Sequence, residues 1–112
     1  MSCKRDYEKF VKHHGITLPE VADIALILED ALAAIKLARD AGIPILGGDV
    51  YMRRGGRITL ANANWHTDPQ QGESLEVYAH RTWAESDAYL RRYPKTAGAD
   101  SLFVLVISDL VL

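Results

Sequence analysis

At 112 residues the chain suits one domain and can bury a hydrophobic core without metals or disulfides. A net charge of −2 and a pI near 6.0 exclude the strongly basic make-up of a nucleic-acid binder, and no apolar run reaches the ~18 residues of a membrane span. A single cysteine, Cys3, excludes an intramolecular disulfide and fits a reducing compartment. The first residues carry no apolar signal core, so the expected location is the cytoplasm.

Tyr7, Phe10, Val11 and His14 fall at helical spacing, which predicts a first helix over 4–14 ended by Gly15 in a left-handed conformation. A connector containing Pro19 follows. Residues 22–28 fit either a short buried strand or the start of the next helix, because periodicity cannot separate the two over so short a run. From Glu29 to Ala41 the stripe Leu28, Ala31, Leu32, Ile35 and Ala38 predicts a second helix, with Gly42 as its cap and Pro44 as its stop.

Residues 43–52 predict a strand with Leu46, Val50 and Met52 on one side and Ile45, Gly47, Asp49 and Tyr51 on the other. Glycines inside a strand weaken it, so Gly47 and Gly48 mark a bulge or a close backbone approach. Arg53 to Gly56 is a glycine-bearing hairpin turn, and the return strand covers 57–64, with Ile58 and Leu60 facing one way and Arg57, Thr59 and Ala61 the other. Residues 65–71 read as a polar loop. Leu75, Tyr78, Ala79, Thr82, Ser86, Leu90 and Tyr93 predict a third helix over 73–93. Residues 102–107 are apolar at every position, as in a strand covered on both faces in the middle of a sheet. The expected fold over residues 1–112 is a small two-layer α+β domain: an antiparallel or mixed sheet with a central β-hairpin and helices packed on it.

No metal site or cofactor is expected. Adjacent helical residues such as His13 and His14 diverge too far to serve one ion, and His66 with Asp68 lacks a third ligand at recognisable spacing. His80 pairs along its helix with Glu76. Gly47-Gly48-Asp49 leads along a strand, whereas a phosphate loop opens a helix. Asp49, Tyr51, Asn62, Asn64 and Trp65 fit two readings. Either Asp49 satisfies the bulge amides and Trp65 closes the core edge, or together they form a polar-aromatic binding surface.

These residues also carry a resemblance. Ile45-Leu46-Gly47-Gly48-Asp49-Val50-Tyr51, Asn64-Trp65, Gly72-Glu73-Ser74, Tyr78-Ala79-His80-Arg81, Ala88-Tyr89-Leu90 and Phe103-Val104-Leu105-Val106 resemble the immunity protein 40 family of bacterial polymorphic toxin systems. Thr82 and His66 depart from the expected pattern, where a serine and an aromatic would stand. The resemblance implies a non-enzymatic protein that binds a cognate toxin domain and occludes its active or functional surface, with no direct nucleic-acid or membrane partner. The expected toxin contacts are Asp49, Tyr51, Trp65 and Glu73. The competing placement is Arg53, Arg54, the 94–100 loop or the first helix. Other readings compatible with the fold are a small-molecule binder or enzyme using Asp49, His66 and Glu73, and a self-associating adaptor that forms a homodimer through its apolar C-terminal strand and tail.

Overall fold

The structure is a computed structural model that describes residues 3–18 and 20–112. Among these residues the elements run α1 (Lys4–His14), β1 (Ile16–Thr17), β2 (Ile24–Ile27), α2 (Leu28–Asp40), β3 (Ile45–Arg54), β4 (Arg57–His66), α3 (Leu75–Arg92) and β5 (Asp100–Ile107). The strands form one antiparallel sheet in the order β1-β2-β5-β3-β4. The α+β expectation holds, and the mixed-sheet alternative does not.

The ambiguous run at 22–28 resolves as strand: Ile24–Ile27 pairs with both β1 and β5, and α2 begins at the next residue. Gly15 ends α1 in an extended conformation (φ −77°), not the left-handed one expected. It is glycine because a β-carbon there would overlap the Ile24 side chain. Gly42 does take a positive φ of 72°, two residues after the end of α2, and its carbonyl accepts the Leu112 amide at 2.8 Å, so the C-terminal tail lies along the α2–β3 turn.

The helices cover one face of the sheet. Tyr7 of α1, Ala31, Ala34, Ile35 and Ala38 of α2, and Ala79, Trp83 and Leu90 of α3 pack with Leu26, Ile45, Val50, Trp65 and Phe103 in one core. Burying those side chains is the main favourable term for so small a domain. On the opposite face a smaller cluster joins Leu18, Ala25, Leu102 and Val104, with Ile27, Tyr51 and Ile58 against it, and no helix residue takes part.

β5 lies in the middle of the sheet as expected, and its side chains alternate between the two clusters. Its cover on the helix-free face runs out, however: Val106 is 43% exposed. In β3 the register shifts between Ile45 and Gly47. This bulge turns Ile45 into the core with Val50 and leaves Leu46 outside, reversing the side expected for both. β4 runs two residues further than predicted, taking Trp65 and His66 out of the expected loop and into the ladder opposite Gly48 and Gly47. A second irregularity opposite Val50 and Tyr51 leaves Ala61 and Asn62 unpaired with β3, and Asn62 takes a φ of +53°.

Candidate binding surface

The buried face of α3 carries two hydroxyls that tie it to the sheet. Thr82 Oγ1 accepts the Ile45 amide at 3.0 Å and donates to the Ala79 carbonyl at 2.7 Å. Ser86 Oγ accepts the indole N–H of Trp65 at 3.0 Å. Trp83, a core residue absent from the predicted stripe, donates its indole N–H to the Ile43 carbonyl at 2.7 Å. Buried polar groups need partners, and here the helix and the sheet supply each other's.

Trp65 belongs to this internal arrangement. Its ring is buried, stacks on Tyr89 with centroids 4.7 Å apart, and rests on the backbone of Gly48. Gly48 has room for no side chain, since a β-carbon would meet both the indole and the Val104 carbonyl. The expectation of a close backbone approach at the glycine pair is therefore met. Trp65 does not present its ring as a surface anchor, because the strand alternation that turns Asp49 outward turns its neighbours Gly48 and Val50, and with them the Trp65 opposite, toward the helices.

Glu73 also points inward. Its side chain is 6% exposed and receives both Nε and Nη2 of Arg81, together with the Gln70 amide at 2.9 Å. The hydrogen bonds from Arg81, then the Gln70 amide, hold its carboxyl down at about 2 from an ordinary 4.5, and Arg81 is raised in turn. Arg81 further donates to Glu85 and to the Asp68 carbonyl, while Tyr78 donates to the Thr67 carbonyl at 2.6 Å. Together these clamp the 67–74 segment onto α3. Asp49, His66 and Glu73 are accordingly not gathered: Asp49 and His66 border one notch, and Glu73 is committed to Arg81.

Asp49 and Tyr51 do face outward, on the side without helices. Asp49 stands between Asn64 of β4 and Val104 of β5, and Tyr51 between Leu60 and Leu102. Both are half-buried. Burial first, then the nearby carboxylates of Asp49 and Asp23, push the Tyr51 hydroxyl up, so it stays a neutral donor at physiological pH. Two depressions flank this pair. One, of about 280 Å³, is bordered by Leu46, Gly47, Asp49, Asn64, His66 and Val106. The other, of about 580 Å³, runs past Leu18, Val21, Tyr51, Ile58 and Leu60. Val21 and Leu60 are 44% and 53% exposed. Leu46, Val106 and Val21 are not among the contact residues expected from the sequence. The glycine pair marks a bulge in the sequence, but that it exposes Leu46, and that the cover ends over Val106, are tertiary facts.

His66 is exposed, with Nε2 3.6 Å from Asp68 Oδ2. His14 lies against Phe10 with the two rings tilted by 32°, and His80 meets Trp83 edge-on. Among the described residues no three His, Cys, Asp or Glu side chains stand close enough to share a metal ion, and no helix is long and apolar enough to cross a membrane.

The geometry defines a small α+β domain with helices on one face of its sheet and a partly open, mixed polar and apolar surface on the other. The chain belongs to the immunity protein 40 family, whose family model matches residues 12–107. No curated protein and no solved structure matches it significantly. The resemblance read from the motifs is thus shown. The motif residues divide by role: Gly48, Trp65, Glu73, Tyr78, Arg81 and Tyr89 hold the fold together, while Asp49 and Tyr51 project from it.

Proposed function

We propose that this chain is a non-catalytic immunity protein that binds the toxin domain of a bacterial polymorphic toxin system in the cytoplasm and blocks it by covering a functional surface. The observation that carries this reading, beyond family membership, is the helix-free sheet face: Asp49 and Tyr51 project from β3, an interior strand paired on both sides, between two depressions and beside exposed Leu60 and Val21. An exposed-side tyrosine held on a paired strand is the residue type that protein interfaces favour as an anchor. Trp65 and Glu73 act one step back in this reading. Trp65 supports the strand that carries Asp49, and Glu73 fixes the loop that follows β4.

Co-expression with the toxin domain encoded beside this chain tests the proposal. A stable co-purifying complex and rescued growth of toxin-expressing cells are the expected results. A well-folded protein that neither binds nor rescues would reject it. Light scattering on the free protein addresses the homodimer reading in the same preparation: a monomer that becomes a one-to-one complex places toxin binding first, and a stable dimer places self-association first.

A further inference from the structure

The notch beside Asp49 is fixed by the fold. Along one row of the helix-free face the register sets His66, Gly47 and Val106 side by side. The middle position carries no side chain and accepts none, because a β-carbon at residue 47 would overlap the Trp65 carbonyl oxygen and crowd His66 Cα. The result is a gap of about 280 Å³ between His66 and Val106, lined also by Leu46, Asp49 and Asn64. Leu46 and Val106 are 37% and 43% exposed, so both are open to a partner.

Asp49 is half-buried on β3, between β4 and β5, yet none of the ion pairs among the described residues includes it. In the free protein its carboxylate is accessible to water. Covering this face would remove that water, and a desolvated carboxylate without a counter-charge is strongly unfavourable. A partner that brings a cation here offsets that cost most directly. Apolar side chains and a carboxylate lining one notch match the methylene stem and charged head of one long basic side chain.

We propose that the glycine-floored notch receives an arginine or lysine side chain of the bound toxin domain, its stem against Leu46 and Val106 and its cation on Asp49. The proposal rests on the toxin-binding reading above and adds the chemistry of the partner: a basic side chain at the centre of the contact. The neighbouring depression along Val21, Tyr51, Ile58 and Leu60 takes an apolar part of the same surface, with Asp23 as a second carboxylate near Tyr51.

Two measurements decide it. The first measures affinity of the full chain for the neighbouring toxin domain, using wild type, Asp49→Asn and Asn64→Lys. Asp49→Asn keeps the shape and removes the charge. Asn64→Lys places a cation directly across from Asp49 and fills the notch in cis. Both variants are expected to keep the wild-type melting temperature and to bind at least tenfold more weakly, with a shallower dependence on salt for Asp49→Asn. Wild-type affinity in both folded variants overturns the proposal while leaving the toxin-binding reading intact.

If the wild type does not bind the toxin domain at all, that reading falls, and the second measurement decides the notch by itself. It titrates the ¹⁵N-labelled chain with acetyl-Gly-Arg-Gly-amide and with the citrulline analogue of the same peptide. Saturable shifts at Gly47, Gly48, Asp49, Asn64 and Val106 with the arginine peptide only would support a cation site. Equal shifts with citrulline, or none with either, would overturn it.

Discussion

The six-membered edge of the Trp65 indole lies on the backbone of Gly48, so a β-carbon at residue 48 would overlap Cη2 and Cζ2 of that ring. One pair of residues thus joins the most specific string of the chain to the strand beside it. Gly48→Ala is expected to destabilise the protein by about 3 kcal/mol, because neither the indole nor the Val104 carbonyl has space to move into. Gly72→Ala provides the contrast. There φ is +78° but nothing lies within 4 Å, so only backbone strain of about 1 kcal/mol is expected. Urea unfolding midpoints of the two variants check the difference.

The Trp65 indole and the Ser86 hydroxyl form a buried pair at 3.0 Å. Removing one member leaves the other unsatisfied, which costs about 1–3 kcal/mol. Trp65→Phe and Ser86→Ala are each expected to destabilise. The double variant is expected to lose less than their sum, by about 1 kcal/mol, in a double-mutant cycle read by urea unfolding. Strict additivity would place the stabilising role of Trp65 in its packing alone.

Glu73 gives the acid limb of stability a specific origin. Its folded value lies near 2, below the ordinary 4.5, so the ionised form favours the folded state. Its contribution is complete above 4.5 and is lost as the pH falls toward 2, while Arg81 remains protonated throughout. The stability gap between wild type and Glu73→Gln is therefore expected to be constant from neutrality down to about pH 5 and to close between 4.5 and 2. Urea unfolding at stepped pH checks it. A gap that persists at pH 2 would show that the ion pair is not its source.

Asn62 sits exposed at the β4 irregularity with φ +53°, a conformation that asparagine tolerates and β-branched residues resist. Asn62→Gly is expected to stay within about 0.5 kcal/mol of wild type, and Asn62→Val to lose about 1–2 kcal/mol. Thermal melts of both separate the backbone effect from side-chain contacts, since this side chain lies on the surface.

At the proposed interface, Tyr51→Ala is expected to weaken toxin affinity by about 2 kcal/mol, roughly thirtyfold, in a protein that remains folded. Trp65→Phe is expected to leave the affinity of the folded fraction unchanged, because its ring faces α3. Calorimetric titration of both against the toxin domain checks the division. A large affinity loss in Trp65→Phe with an unaltered Tyr51→Ala would invert the assignment.

Much of the architecture was legible from local chemistry. Helical spacing located α1, α2 and α3 to within a few residues, and Gly42 with Pro44 marked an end that the structure keeps to within a residue. The unbroken apolar run at 102–107 placed β5 in the middle of the sheet. The motifs also led to the right family. These properties depend on composition and periodicity within short windows, which a single sequence contains in full.

The direction of individual side chains was decided only by the tertiary structure. A bulge adds one residue and inverts the alternation beyond it, so Ile45 and Leu46 exchanged sides without any change in local composition. Trp65 has the residue type of an interface anchor, yet its place opposite Gly48 makes it core. Glu73 has the type of a catalytic or contact carboxylate, yet Arg81, two turns into the next helix, claims it. The sequence determines which residues are unusual. Whether such a residue supports the fold or faces a partner depends on which strand lies beside it, and non-local pairing sets that.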